Sequence, residues 1–148
     1  MSKKETGVIV ALDGMELEAA IRLAHRLSGS GAMFKANDLL DDELGPAVIK
    51  KLNFFGRVMA DPKFHDIPNT VKNRVSKIVK YGPDFLTVHA SGGVEMMKFA
   101  VAGAQGSNTK ILAVTVLTSL DDEQCKENLG APTKEKVLQF ARLAVKAG

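Results

Sequence analysis

Short apolar runs alternate along this chain with longer stretches in which apolar residues return every three to four positions, the pattern of βα units laid on a parallel sheet. The first run, Val8 to Leu12, ends on Asp13. The helix after it is predicted over about Glu16 to Leu27, because Leu17, Ala20, Ile21, Ala24 and Leu27 fall on one face, and Ser28 to Gly31 stop it. A second run, Ala32 to Ala36, contains Lys35 and precedes a helix through Pro46, Val48, Ile49 and Leu52. The third run ends in Val58, Met59, Ala60 and Asp61. Its helix begins near Pro68 and Asn69, passes through Val71, Val75, Ile78 and Val79, and closes at Tyr81-Gly82-Pro83, a C-cap glycine followed by proline. A fourth run, Phe85 to Val88, ends at His89 and leads into a helix over about Val94 to Ala102. The fifth is Ile111 to Leu117, ending at Thr118 and Ser119, and the last helix covers about Lys134 to Lys146.

Five βα units of one type can form an open doubly wound sheet or part of a closed eight-fold barrel, and periodicity alone leaves both open. The polar residues favour the barrel. Asp13, Lys35, Asp61, Lys63, His89 and Thr118 all stand at or just past the C-terminal ends of successive strands, and in a barrel those ends converge on one site. No Gly-x-Gly-x-x-Gly or Walker sequence marks a switch point of an open sheet. The expectation is an α/β chain of the TIM (β/α)8-barrel type, a partial barrel of five units in a single domain over 1–148. A complete barrel takes about 250 residues, so strands six to eight are expected to be absent.

Composition narrows the setting. At 148 residues, 45% hydrophobic and 25% charged, the chain has the make-up of a soluble globular protein. Its net charge of +3 comes from lysines spread along the chain, which is no nucleic-acid footprint. The single cysteine, Cys125, cannot form an internal disulfide, and no Cys/His spacing suggests a metal site. The N-terminal MSKKETG leads into an apolar run too short for a signal segment or a membrane span, so a cytoplasmic protein is expected.

The densest candidate chemistry lies at the end of the third strand. Asp61 and Lys63 are two apart, so regular strand geometry points both side chains to the same side, into the barrel mouth. Asp66 follows in the loop. Carboxylate, ammonium and carboxylate in a water-poor pocket keep one another ionised and can stabilise a developing charge. Lys35, from the neighbouring strand end, would add a second cation and hold Asp61 in place. An ordinary surface salt-bridge cluster accounts for the same spacing, because Asp-x-Lys-x-x-Asp is short and charges are common at strand ends.

The flanking residues carry more. Asp61 to Thr70 reads DPKFHDIPNT, and nine of its ten residues coincide with the Asp-Leu-Lys-Phe-His-Asp-Ile-Pro-Asn-Thr segment of orotidine 5′-monophosphate decarboxylases. VALD at Val10 to Asp13, FKANDLL at Phe34 to Leu40, TVHASGG at Thr87 to Gly93 and AVTVLTSLDD at Ala113 to Asp122 resemble that family's strand ends in the same order. The resemblance covers nearly the whole chain. Keto-gulonate-phosphate decarboxylases and hexulose-phosphate synthases share Asp-x-Lys-x-x-Asp, but the Ile-Pro-Asn-Thr after it resembles the orotidylate branch.

The resemblance implies a cofactor-free decarboxylation of orotidine 5′-monophosphate to uridine 5′-monophosphate in pyrimidine biosynthesis. Lys63 would stabilise and protonate the C6 carbanion, with Asp61 and Asp66 holding Lys63 and facing the departing carboxylate. Asp13 and Lys35 match ribose-hydroxyl ligands, and Thr118 with Ser119 match the region that bonds the pyrimidine edge. Asp66, Ile67 and Thr70 would enter the neighbouring subunit's site, so a homodimer with shared sites is implied. His89 either touches substrate or is a structural histidine bonded to a neighbouring strand.

Three departures qualify this picture. Pro62 stands where the family has Leu and removes a ladder N–H from a central strand, so a bulge at strand three is expected. FKANDLL lacks the Val-Gly that follows the family's lysine, which bears on the placement of Lys35. The family's phosphate grip comes from loops after strands seven and eight, and strands one and five would be open edges. An inactive partial barrel that self-associates, and a metal-using sugar-phosphate decarboxylase or aldolase, are therefore the alternatives.

Overall fold

A computed structural model describes residues 6–148. Residues 1–5, part of the N-terminal stretch expected to carry no targeting signal, lie outside them. The strands are β1 (Ile9–Ala11), β2 (Met33–Ala36), β3 (Arg57–Phe64), β4 (Phe85–His89) and β5 (Lys110–Val114). The helices are α1 (Leu17–Arg26), α2 (Val48–Asn53), α3 (Pro68–Ile78), α4 (Gly93–Gly103), α5 (Asp122–Leu129) and α6 (Thr133–Ala147).

All neighbouring strands are parallel and the spatial order is β1-β2-β3-β4-β5, identical to the chain order. A doubly wound sheet reverses its order at a switch point, whereas a sheet that always steps the same way is the unit of a barrel. The chain therefore forms an α/β partial barrel of five βα units, as the placement of its polar residues suggests.

Pairing register sorts the side chains into two faces. Val10, Phe34 and Val58 are in register, as are Ala36, Ala60 and Leu86. Most of this set is fully buried, together with Ala20, Ala24, Ile49, Leu52, Val71, Val75, Met96 and Ala100 of the helices, and it forms the core. The other parity carries Ile9, Ala11, Lys35, Met59, Phe85 and Lys110, which line the inner face. Ile9 on β1 and Leu112 on β5 are 50% and 36% exposed there.

The helices follow the apolar spacing closely. α1 starts after Glu16 and stops before Leu27. α3 begins with Pro68 in its first turn, where a missing N–H costs nothing, and its last turn tightens into a 3-10 segment ending at Gly82, whose φ of 75° is readily adopted by glycine. Two elements differ from expectation. β5 stops at Val114 instead of Leu117, because its partner β4 ends at His89, the residue paired with Val114, and Leu117 to Leu120 fold into a turn. α5 is an additional helix, fixed by a reciprocal capping box between Asp121 and Gln124 and closed by Gly130 at φ 84°.

α3 and α4 pack tightly at Gly103, where a Cβ would lie 2.7 Å from the Lys72 carbonyl oxygen and 3.1 Å from Val75 Cβ. Gly103→Ala is expected to cost about 1–3 kcal/mol from overpacking, despite alanine's better helix propensity. Urea unfolding checks this, and a stability equal to or above the parent would show that the helices part freely. No helix among the described residues is long and apolar enough to cross a membrane.

Candidate active site

The third strand does not run regularly through its polar end. Between the Ala60–Leu86 and Phe64–Val88 pairs β3 advances four residues while β4 advances two, so Asp61, Pro62 and Lys63 together oppose the single residue Thr87. This is the bulge expected from Pro62, and it explains why a proline is tolerated in a central strand: its missing N–H falls where the ladder is already broken. Lys63 takes a φ of 47°, the only non-glycine residue with positive φ among those described. That conformation costs an L-residue about 1–2 kcal/mol. Simple alternation therefore does not place Lys63; the bulge does.

The bulge turns Lys63 back onto its own strand. Its Nζ donates to Asp61 Oδ2 at 2.7 Å. The same carboxylate oxygen accepts from Lys35 Nζ at 3.2 Å, and Lys35 Nζ also donates to Asp13 Oδ2 at 2.5 Å. The other oxygen, Asp61 Oδ1, accepts from the Thr87 hydroxyl at 2.8 Å, and that hydroxyl accepts the Lys63 backbone N–H at 2.9 Å. Charges thus alternate from Lys63 through Asp61 and Lys35 to Asp13 across the ends of β3, β2 and β1. Asp61 is 3% exposed, and the array opens toward solvent at Lys63 and Asp13.

Despite the missing Val-Gly, Lys35 lies near the end of β2 with its Nζ between Asp13 and Asp61. The backbone after β2 instead turns through a short 3-10 segment, Asp38–Leu40, and Asp38 Oδ2 accepts the Gly14 N–H at 2.7 Å, tying the β1 and β2 loops together.

The remaining candidates are placed differently. Within this chain Asp66 forms no ion pair with Lys63 among the described residues; it is exposed at the start of α3, where its Oδ1 accepts the Ile67 N–H at 2.7 Å. The bulge directs Lys63 to Asp61, and the carboxylate of Asp66 is left in an outward loop beside Ile67, which is 68% exposed. Thr70 lies half-buried in the first turn of α3. Thr118 and Ser119 are exposed in the turn beyond β5, not at its end, because the strand loses its partner earlier. His89 ends β4, half-buried, with its ring 5.5 Å from that of His65. Thr87 is the site residue that sequence reasoning missed. Its signal was available: it lies two residues before His89, on the same face of β4.

Electrostatics follow from this geometry. Burial alone would raise the Asp61 carboxyl pKa, but hydrogen bonds from Lys63, Thr87 and Lys35 outweigh it and hold it below the ordinary value of 3.8. Burial opposes the charge on Lys35, yet its bonds to Asp13 and Asp61 raise its pKa above 10.5. His89 is pushed below 6.5 by burial and by repulsion from His65 and Lys63, with Asp61 opposing.

Each of these shifts has a definite sign for stability. Folded His89 binds its proton less readily than the unfolded chain, so stability declines as the pH falls below about 6.5. Asp61 contributes fully above 3.8, and that contribution is lost as the pH falls through its folded value. Lys35 contributes fully below 10.5, and its contribution is lost as the pH rises through its folded value. Calorimetry from pH 7 downward should therefore show Tm falling in an early step that His89→Gln removes, and then again below about 4. A Tm that rises between pH 7 and 5 would contradict the assignment.

Comparison with known proteins gives the family of the chain. Residues 6–148 match the model of the Orotidine 5'-phosphate decarboxylase / HUMPS family. The chain is 41% identical to an orotidine 5'-phosphate decarboxylase of Moorella thermoacetica, over 95% of this chain and 60% of that protein. It is 39% identical to one of Fusobacterium nucleatum, over 99% of this chain and 63% of that protein. Among solved structures it is similar to an uncharacterized conserved protein of Geobacillus kaustophilus, with TM-score 0.84, 34% identity and coverage of 95% and 70% of the two chains. It is also similar to an orotidine 5'-phosphate decarboxylase of Lactobacillus acidophilus, with TM-score 0.79, 39% identity and coverage of 95% and 67%. The chain thus spans about three-fifths of the length of the curated relatives it matches. Sequence match, strand order and the charge array at the strand ends agree: this chain belongs to the Orotidine 5'-phosphate decarboxylase / HUMPS family.

Proposed function

We propose that this chain carries the catalytic charge array of an orotidine 5′-monophosphate decarboxylase. The observation that carries the reading is the alternating Lys63, Asp61, Lys35, Asp13 array, held on strand ends in a chain whose relatives bear that name. The C6–carboxylate bond of orotidine 5′-monophosphate breaks, CO2 leaves, and the bonding pair stays on C6. The Lys63 ammonium stabilises that carbanion and transfers a proton to it, giving uridine 5′-monophosphate, and water then reprotonates the amine. Asp61 holds and orients the Lys63 side chain. Asp13 and Lys35, at the exposed end of the array, bind the ribose hydroxyls. His89 lines the same mouth, and Thr118 with Ser119 reach the pyrimidine edge if the turn that bears them folds inward on binding.

The exposed β3–α3 loop supports the shared-site part of the proposal. Asp66, Ile67 and Thr70 project from a surface where a second copy would receive them, so the active form is a homodimer, working without a cofactor in the cytoplasm. Ile67-Pro68-Asn69-Thr70 favours the orotidylate branch over a metal-dependent sugar-phosphate enzyme. Turnover that survives chelation distinguishes the two.

The test is orotidylate-dependent release of CO2 by the purified chain, alone and mixed with the C-terminal two-fifths of a relative such as the Moorella enzyme. Release in either arm supports the reading. Its absence in both, with the two polypeptides folded together, overturns it. A second reading rests on the sheet's outer strands, where Ile9 and Leu112 are exposed. It has the chain self-associate through its edges without catalysis, and a discrete, cooperatively unfolding oligomer without turnover would favour it.

A further inference from the structure

We propose that Thr87 is a positioning residue for the proposed decarboxylation, its hydroxyl acting as a joint that ties the backbone of Lys63 to the carboxylate of Asp61 and so supports their direct ion pair. The inference rests on the catalytic reading of Lys63 and goes beyond it in naming what fixes that lysine. Three features of the structure lead to it.

Thr87 is the one β4 residue facing three on β3, so it stands where the ladder cannot supply regular hydrogen bonds. A bulge with buried backbone and no replacement bonds would be costly. Thr87 Oγ1 supplies them in both directions, accepting the Lys63 N–H at 2.9 Å and donating to Asp61 Oδ1 at 2.8 Å. The hydroxyl has one proton to give, and Asp61 takes it, so its lone pairs are left for Lys63. Directionality thus couples the two residues: the carboxylate orients the hydroxyl, and the hydroxyl anchors the backbone of the lysine.

Lys63 also needs anchoring, because its φ of 47° is strained and a relaxed strand would swing its side chain away from Asp61. Finally, Thr87 is 1% exposed and lies beneath Asp61, so it touches no substrate and acts only through its two partners. Its bond is also among those that hold the Asp61 pKa down, which keeps the carboxylate charged beside Lys63.

Valine has the shape of threonine without the hydroxyl, so Thr87→Val tests the joint with packing nearly constant. Thr87→Ser keeps the hydroxyl and is the rescue. Two measurements apply to the whole chain under the conditions in which the parent turns over. Thr87→Val should lower kcat about 10- to 100-fold with KM changed less than about threefold, the size expected for a lost bond to a charged group. Thr87→Ser should recover most of the rate. In a carbon-13 NMR titration, the Asp61 carboxyl should titrate at higher pH in Thr87→Val and return toward the parent value in Thr87→Ser.

A folded Thr87→Val protein with unchanged kcat and unchanged Asp61 titration overturns the inference, as does a serine variant that fails to recover either. If the parent shows no turnover either alone or with the C-terminal complement, the proposed function fails while the Asp61 titration still decides the role of Thr87. If Thr87→Val does not fold, the parent protein decides it. A slowly exchanging Thr87 hydroxyl proton with cross-relaxation to the Lys63 amide proton supports the joint, and its absence overturns it.

Discussion

Lys63→Ala is expected to lower orotidylate decarboxylation by about 10^4-fold or more, since in the proposed mechanism it removes both the electrostatic partner of the carbanion and its proton donor. The array should survive in part, because Asp61 keeps Lys35 and Thr87 as partners. Loss of rate should therefore come without loss of fold. A rate within about tenfold of the parent would remove Lys63 from the chemistry. The same position tests the strain of the bulge. At φ 47° glycine is at ease and alanine is not, so Lys63→Gly should be more stable than Lys63→Ala by about 1 kcal/mol. The reverse order would mean that the backbone at residue 63 relaxes when the lysine is gone.

Asp61→Ala carries the largest expected cost in stability. Among the described residues Asp61 is the only carboxylate touching both lysines, and it is almost wholly buried. Removing it leaves Lys63 without its anion, Lys35 with only the exposed Asp13, and the Thr87 hydroxyl without an acceptor. Breaking a buried pair from one side costs about 3–5 kcal/mol, and since both ammonium groups reach solvent the lower end applies, about 3 kcal/mol. For a chain of this length that lowers Tm by about 6–12 °C. Asp61→Asn, which can still accept the Thr87 hydroxyl, should lose less. A loss below about 1 kcal/mol for Asp61→Ala would return the array to the surface salt-bridge cluster that spacing alone could not exclude. The two substitutions separate the proposed roles: loss of rate without loss of fold at Lys63 would mark a chemical role, whereas loss of both at Asp61 would mark a chemical and a structural one.

Much of this was legible in the chain. The helices α1, α3, α4 and α6 follow from apolar residues returning at helical spacing, and Gly82-Pro83 marks the end of the α3 segment unambiguously. Local signals of this kind are strong because they depend on neighbours in sequence. The end of β5 was not legible, because a strand stops where its partner stops, and β4 ends for reasons of its own. α5 was legible but unread, since Asp121 and Gln124 spell its cap.

The site divides along the same line. Asp13, Lys35, Asp61 and Lys63 could be picked out from residue type and position at strand ends, and a barrel order of strands brings such ends together. The sequence by itself determined the family and the identity of these charges, because both rest on short-range pattern, while the strand order that separates a barrel from a doubly wound sheet came from the sheet itself. Only the tertiary structure decided how they meet. Pro62 announces a bulge but not its size, and it is the pairing of β3 with β4 that sets three residues against Thr87. That pairing turns Lys63 onto Asp61, leaves Asp66 facing outward, and makes a threonine two positions before His89 part of the site. A hydrogen bond between residues 24 apart depends on register, and register is a property of the folded sheet.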